Sequence, residues 1–223
     1  MSKTIIVTGA AGALGSTVAK MLVERGHDVH GVDLADKAPE GAGHFHGGVD
    51  LGNADTVRAT VDAVAKEAGK IDALVNIVGG FVWEQVDGGS IDSWDRMYKM
   101  NVRPTLLMAQ AALPHLRKSN GAIVNIGANA ARQAGAGMGA YAASKAGVHK
   151  LTESLAEEEK TSRVRVNAIL PTIIDTEANR KDMPDADPAD WVQPSSIGEL
   201  VGFLVSDAAD AITGACIPIV NRT

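Results

Sequence analysis

The sequence predicts an α/β domain built on one doubly wound, mostly parallel sheet of about seven strands. Three observations predict it. Short β-branched runs alternate with longer helical patterns from one end to the other, the strand runs are almost continuously apolar, and a glycine-rich turn joins the first strand to the first helix. Strands separated by helices pair in parallel, because a parallel return needs a crossover of a dozen or more residues. Unbroken apolar strands need cover on both faces of the sheet. With 223 residues the chain holds one sizeable core, so residues 1–223 are expected to form a single domain.

The elements follow in order. Thr4 to Val7 is apolar and β-branched, and residues 9–15 form the turn. Leu14, Val18, Met21 and Leu22 recur three and four apart, as one face of a helix does. Val29 to Val32 reads as the second strand and Phe45 to Val49 as a weak third. Val57, Val61, Val64 and Ala68 trace the next helix. Ala73 to Val78 is a buried strand, Ser93 to Leu116 a long helix, and Ala122 to Ile126 a strand. Tyr141 to Glu159 is helical, Val164 to Leu170 a strand, Ile197 to Val205 a helix, and Ala215 to Val220 the last strand. Residues 175–193, rich in charge and proline, interrupt the alternation. They suit either a solvated loop or a lid over a site.

Composition excludes several classes. The formal charge is −6 with no basic block, which disfavours nucleic acid or an anionic membrane as partner. No run approaches the ~18 apolar residues of a membrane span. The lone Cys216 permits no intrachain disulfide. The N-terminal residues show no secretory pattern, and a cytoplasmic location is expected.

Thr8-Gly-Ala-Ala-Gly-Ala-Leu-Gly15 stands between a strand and a helix. Small residues there let N–H groups at a helix start approach a pyrophosphate, so Gly9, Gly12, Ala13, Leu14 and Gly15 are candidate dinucleotide contacts. Asp33 ends the second strand, where a carboxylate accepts from the ribose hydroxyls and repels a 2′-phosphate. This favours NAD(H) without excluding NADP(H). Asp50 and Leu51, after the third strand, are weaker candidates for the adenine edge.

Tyr141 and Lys145 stand four apart on a predicted helix and share a face. A free phenol, with a pKa of ~10, exchanges protons poorly near neutrality. An ammonium ~4 Å away favours the phenolate by on the order of 4 kcal/mol at an effective dielectric of ~20. Lys145 is therefore expected to lower the Tyr141 pKa and fit it for general acid–base work.

Tyr141-Ala-Ala-Ser-Lys145, the Gly9 to Gly15 turn and Lys99-Met-Asn101-Val, in that order, resemble the short-chain dehydrogenase/reductase family. The resemblance runs from Thr4 to about Thr176 and then more loosely to the C-terminus. It implies a Rossmann sheet of order 3-2-1-4-5-6-7 and a lysine that also anchors the nicotinamide ribose. Asn101 would stand in a proton relay, and residues 171–176, with Pro171, Ile173 and Thr176, would contact the carboxamide. Val78 and Gly79 fall where that family also lines its cofactor. It further implies a homodimer or homotetramer joined through the helices at residues 93–117 and 141–159. Pro104, just past Asn101, removes one hydrogen bond and can distort its helix.

The departures narrow the expectation. Most of the family carries a serine thirteen residues before the tyrosine, where this chain has Ala128. Loss of such a donor costs ~2.7–4 kcal/mol of barrier, a heavy handicap for a plain ketone reductase. Asn129 is a possible substitute donor. Gly79-Gly-Phe81, Met138-Gly-x-Tyr141 and residues 175–187, with Trp191 beyond, look like the dihydropteridine reductase branch of the family. That likeness implies NADH-dependent reduction of a quinonoid dihydropterin. A quinonoid C=N is already electrophilic and tolerates an alanine at 128. A reductase of keto, quinone or imine compounds is the alternative, and a non-catalytic dinucleotide-binding protein is a third.

Phe81, Trp83 and Trp191 are candidates for stacking on a flat heterocycle. His149 is expected to pack or to meet another subunit. Glu157 to Lys160 reads as a solvated helix end. His44-x-His46 has metal-ligand character, but no further ligand cluster accompanies it in the sequence, and no metal is expected.

Overall fold

The computed structural model describes residues 2–221; Met1, Arg222 and Thr223 lie outside the described residues. Seven parallel strands form one sheet in the order β3-β2-β1-β4-β5-β6-β7. They are β1 (Thr4–Thr8), β2 (Asp28–Val32), β3 (His44–His46), β4 (Ala73–Asn76), β5 (Ala122–Ile126), β6 (Arg165–Pro171) and β7 (Cys216–Ile219). The weak third strand is three residues long and starts one residue earlier than the sequence suggests.

Adjacent strand residues alternate between two cores. Ile5, Val7, Val29 and Ile169 face α1 (Ala13–Glu24) and α7 (Pro194–Val205), whose Val18, Leu22, Ile197 and Val201 complete that layer. Ile6, Leu74, Ile123 and Val166 face α2 (Ala54–Ala68) and α4 (Arg103–Ser119). α5 (Gly139–Glu158) packs on the same side through Leu155 and Ala156. No helix among the described residues is long and apolar enough to cross a membrane.

The long helix expected at 93–116 has two parts. α3 (Ile91–Met97) runs through a π-helical turn, Tyr98–Val102, into α4. Pro104 has no N–H to give, as the sequence anticipates, and the Thr105 hydroxyl donates to the Asn101 carbonyl at 2.8 Å. The irregular segment holds α6 (Glu177–Asp182) and a 3₁₀ turn, Pro188–Asp190. It is tied down by a two-pronged Arg180–Asp175 pair at 2.6 and 2.7 Å.

One surface reading is corrected. Glu159 is 2% exposed, not solvated. Its carboxylate accepts from Arg117 Nε at 2.9 Å, and the Ser162 hydroxyl also donates to it. The Arg117 hydrogen bond is the main cause that holds its pKa below the usual range.

Candidate active site

The strands end at a crevice of about 660 Å³ running over the carboxyl ends of β1, β4, β5 and β6. It opens where the chain order reverses between β1 and β4, the place where open parallel sheets receive ligands. Its floor is the glycine turn. Gly9 has φ +67°, and a side chain on it would press on the Val78 backbone. A Cβ on Gly15 would lie 1.9 Å from the Gly9 carbonyl oxygen. Only glycine lets α1 start this close to β1, and that leaves a cradle of backbone N–H groups at the helix end.

Asp33 lines one end of the crevice. Its Oδ2 accepts from Ala11 N at 2.9 Å and its Oδ1 from Ala35 N at 3.0 Å. A second hollow of about 490 Å³ continues past Asp33 to Val49, Asp50 and Leu51. The cradle, the carboxylate and this extension together fit an adenine dinucleotide.

Tyr141 and Lys145 both line the crevice from the first turns of α5, next to Gly12, Ala13, Leu14, Val78 and Gly79. Asn101 is fully buried in the π-helical turn. Its Oδ1 accepts from Gly80 N at 2.9 Å, and its Nδ2 donates to Gly80 O at 3.1 Å and to Ser144 Oγ at 2.9 Å. Ser144 donates to the Tyr141 carbonyl at 2.7 Å. Asn101 thus ties the β4 loop to the helix that carries the tyrosine. Ser144 stands inside the Tyr-Lys motif, yet its spacing alone shows no role.

The electrostatics reverse one expectation. Burial pushes the Tyr141 phenol up to about 12 and pulls the Lys145 ammonium down to about 8. Desolvation wins because the Lys145 Nζ hydrogen bond goes to the Ile126 carbonyl, at 2.7 Å. The pair reaches the crevice as a largely neutral acid beside a readily discharged base.

Other candidates divide. Phe81 lines the crevice and meets Tyr141 edge to face, with centroids 4.9 Å apart. Trp83 is a loop anchor: its Nε1 donates to Ala136 O at 3.1 Å and its ring covers Gly137. Trp191 is 4% exposed and packed beneath the 175–193 segment, so it offers no face to a ligand. Pro171 and Thr176 line the crevice, but Ile173 does not and is 42% exposed; Thr172 and Ile174 take the inward positions. Extended backbone alternates its sides, and the expectation was one residue out of step. Asn179, which the sequence did not single out, lines the crevice from α6 and donates to Ile174 O at 2.8 Å. Ala128 is buried, and the crevice wall at the end of β5 is Ile126 and Gly127 rather than Ala128 or Asn129. The Ala128 N–H donates to His149 Nε2 at 3.3 Å. His149 therefore packs inside the chain, and burial is the main cause lowering its pKa.

A family model described as short chain dehydrogenase matches residues 3–187. The chain belongs to the short-chain dehydrogenase family. Among relatives of this dehydrogenase, it is 36% identical to D-threitol dehydrogenase of Mycolicibacterium smegmatis, over 97% of this chain and 91% of that protein. It is 32% identical to NAD-dependent glycerol dehydrogenase of Listeria innocua, over 95% and 90%. The NAD+-bound structure of a xylitol dehydrogenase superposes with a TM-score of 0.89 at 26% identity, covering 98% of both chains. Of these, the glycerol dehydrogenase is NAD-dependent and the xylitol dehydrogenase is NAD+-bound, which supports use of NAD.

Proposed function

We propose that the protein is an NAD(H)-dependent oxidoreductase in which Tyr141 passes the proton and the acceptor is a conjugated, pre-polarised system such as a quinonoid dihydropterin. The observation that carries the reading is Phe81, which lines the crevice edge to face with Tyr141, in a chain that has alanine at position 128. The site has no hydroxyl at position 128 to polarise a carbonyl, and it has an aromatic face for a flat ring. Nicotinamide, when bound, supplies the hydride. Asp33 would take the ribose hydroxyls, the glycine cradle the pyrophosphate, Lys145 the second ribose, and Thr172 to Thr176 the far end of the ring system. NADH is favoured over NADPH because both oxygens of Asp33 already accept backbone N–H groups, at Ala11 and Ala35, where a 2′-phosphate would have to sit. The 175–193 segment acts as the lid, with Thr176 and Asn179 as its inner edge. A homodimer or homotetramer, in the cytoplasm, is the working form.

A second reading rests on the D-threitol and glycerol dehydrogenases: oxidation of a small polyol at a secondary hydroxyl. Steady-state assays with NADH and quinonoid dihydropterin, against NAD+ with a panel of polyols, separate the two. Tyr141→Phe is expected to lower turnover of the true substrate about 10²–10⁴-fold while dinucleotide affinity stays within a few-fold. Unchanged turnover would remove Tyr141 as the proton donor. Robust polyol oxidation without pterin reduction would replace the first reading by the second.

A further inference from the structure

On the face of β2 covered by α2, before the strand reaches Asp33, four strand side chains and one helix side chain converge. β2 and β3 run in register, with His30 beside His44 and Val32 beside His46. Asp28 stands two residues before His30 and so on the same face. Glu67 reaches in from the last turn of α2. We propose that Asp28, His30 and His44 form a binding site for one divalent transition-metal ion of the Zn²⁺ type.

The buried, unpartnered Nε2 of His30 carries the argument. His30 is 1% exposed. Its Nδ1 lies 3.1 Å from His46 Nε2, while its Nε2 has no hydrogen-bond partner among the described residues. His44 Nδ1 lies 3.1 Å from Glu67 Oε1. With each Nδ1 turned to a neighbour of its own, the two Nε2 atoms are the ring nitrogens left for a ligand. Both face the same carboxylate: Asp28 Oδ2 is 3.5 Å from His30 Nε2, and Asp28 Oδ1 is 3.6 Å from His44 Nε2. A cation between the two rings and the carboxylate would satisfy all three at once.

Those separations are long for hydrogen bonds. They end on different oxygens of the same carboxylate, and an ion between the two rings and Asp28, with metal–ligand bonds of about 2.0–2.2 Å, would draw the three together. One ligand atom from each of the three residues lies within 4.8 Å of the others. The remaining partners have the outer-shell form that metal-binding histidines show. Glu67 and His46 hold the distal ring nitrogens, and the Thr4 hydroxyl donates to Asp28 Oδ2 at 3.3 Å. Two imidazoles and one carboxylate select Zn²⁺, Co²⁺ or Ni²⁺ over Mg²⁺ or Ca²⁺, and three protein ligands leave a position for water. The exposed His44 ring, stacked on His30 with centroids 4.7 Å apart, has room to tilt onto the ion. His30, His46 and Glu67 form an overlapping set through the same ring. His30 Nδ1 is already spoken for there, so Nε2 and Asp28 are favoured. Such an ion would staple the three-residue edge strand β3 to β2.

The test uses full-length protein without a histidine tag, stripped with chelator. Zn²⁺ titration followed by calorimetry and elemental analysis is expected to give one ion per chain. The melting temperature should rise by roughly 5–10 °C at a free ion concentration of about 100 times Kd. Co²⁺ in place of Zn²⁺ should show the intense visible bands of a tetrahedral site. His44→Gln and Asp28→Asn, at partly exposed positions that the fold does not depend on, should each weaken binding at least 100-fold with the apo melting temperature little changed. Wild-type protein that retains no ion, or variants that bind as it does, would overturn the site. Loss of binding in His46→Gln with none in Asp28→Asn would overturn it in favour of the overlapping set.

Discussion

Lys145 shows how burial and charge compete at a single side chain. Its ammonium sits 5% exposed against one carbonyl, and desolvation lowers its pKa from 10.5 to about 8. A lowered pKa means that the unfolded chain binds more protons between pH 8 and 10.5. Stability from this group is therefore complete above 10.5 and is lost as pH falls through 8. Tyr141, raised from 10 to about 12, acts in the opposite sense, but only above pH 10. Comparing wild type with Lys145→Met by urea unfolding cancels all other groups. The difference should move in favour of wild type by at most about 1.4 kcal/mol per pH unit between pH 8 and 10. A flat difference would mean that the ammonium is solvated. The same variant should lose turnover, since it removes the only cation that lines the crevice among the described residues.

At the scale of elements, the sequence displayed the scaffold more fully than the site. The alternation of β-branched runs and helical periods placed all seven strands, because parallel strands buried on both faces leave little ambiguity of period. The glycine turn was legible because only glycine survives where a Cβ would strike Gly9 at 1.9 Å. Side-chain direction was not legible. Trp191 looked like a stacking surface and is a buried anchor; Ile173 and Ile174 exchanged roles through a one-residue phase. The Asp28, His30, His44 and Glu67 cluster was invisible because strand register and a helix end, not sequence spacing, assemble it. Glu159 is the same lesson at a helix end: a run of charges read as solvent-facing delivers one carboxylate inward to Arg117 of α4. Arg117→Ala should leave that carboxylate short of its partner and lower stability at pH 7. Because the Glu159 pKa is lowered from 4.5, the stability it contributes is present above that value and lost as pH falls through the native pKa. The cost of Arg117→Ala, read from denaturant midpoints, should therefore shrink on acidification. A cost independent of pH would show that Arg117 acts by packing alone.

For the molecule as a whole, the outer faces of α4 and α5 bear on the state of assembly. The inward face of α5 is fully used by Ala140, Lys145, Val148, Thr152 and Leu155. Its outer positions include the exposed Ala143 and the half-buried Ala146, small residues that let a second helix come close, and Leu106 of α4 stands half-buried. Further apolar side chains are left outside, with Val86 at 77%, Ile91 at 73% and Tyr98 at 51% exposed around α3. Apolar surface gathered on one side of a domain is stabilised by burial against a second copy, and a closed two-fold contact does so with the same residues on both chains. Light scattering on the eluting protein should therefore give two or four times the 23.1 kDa chain mass. Introducing a like-charged pair across that contact with Ala143→Glu should lower the mass and the melting temperature, and remove the dependence of that temperature on protein concentration that wild type shows. A wild-type mass of 23.1 kDa at all concentrations would assign the helix faces to solvent. The crevice is lined entirely by residues of one chain, so dinucleotide binding should survive dissociation. Any loss of turnover on dilution would then point to the mobility of α3 and the loop ahead of it, which carry Phe81 to the edge of Tyr141.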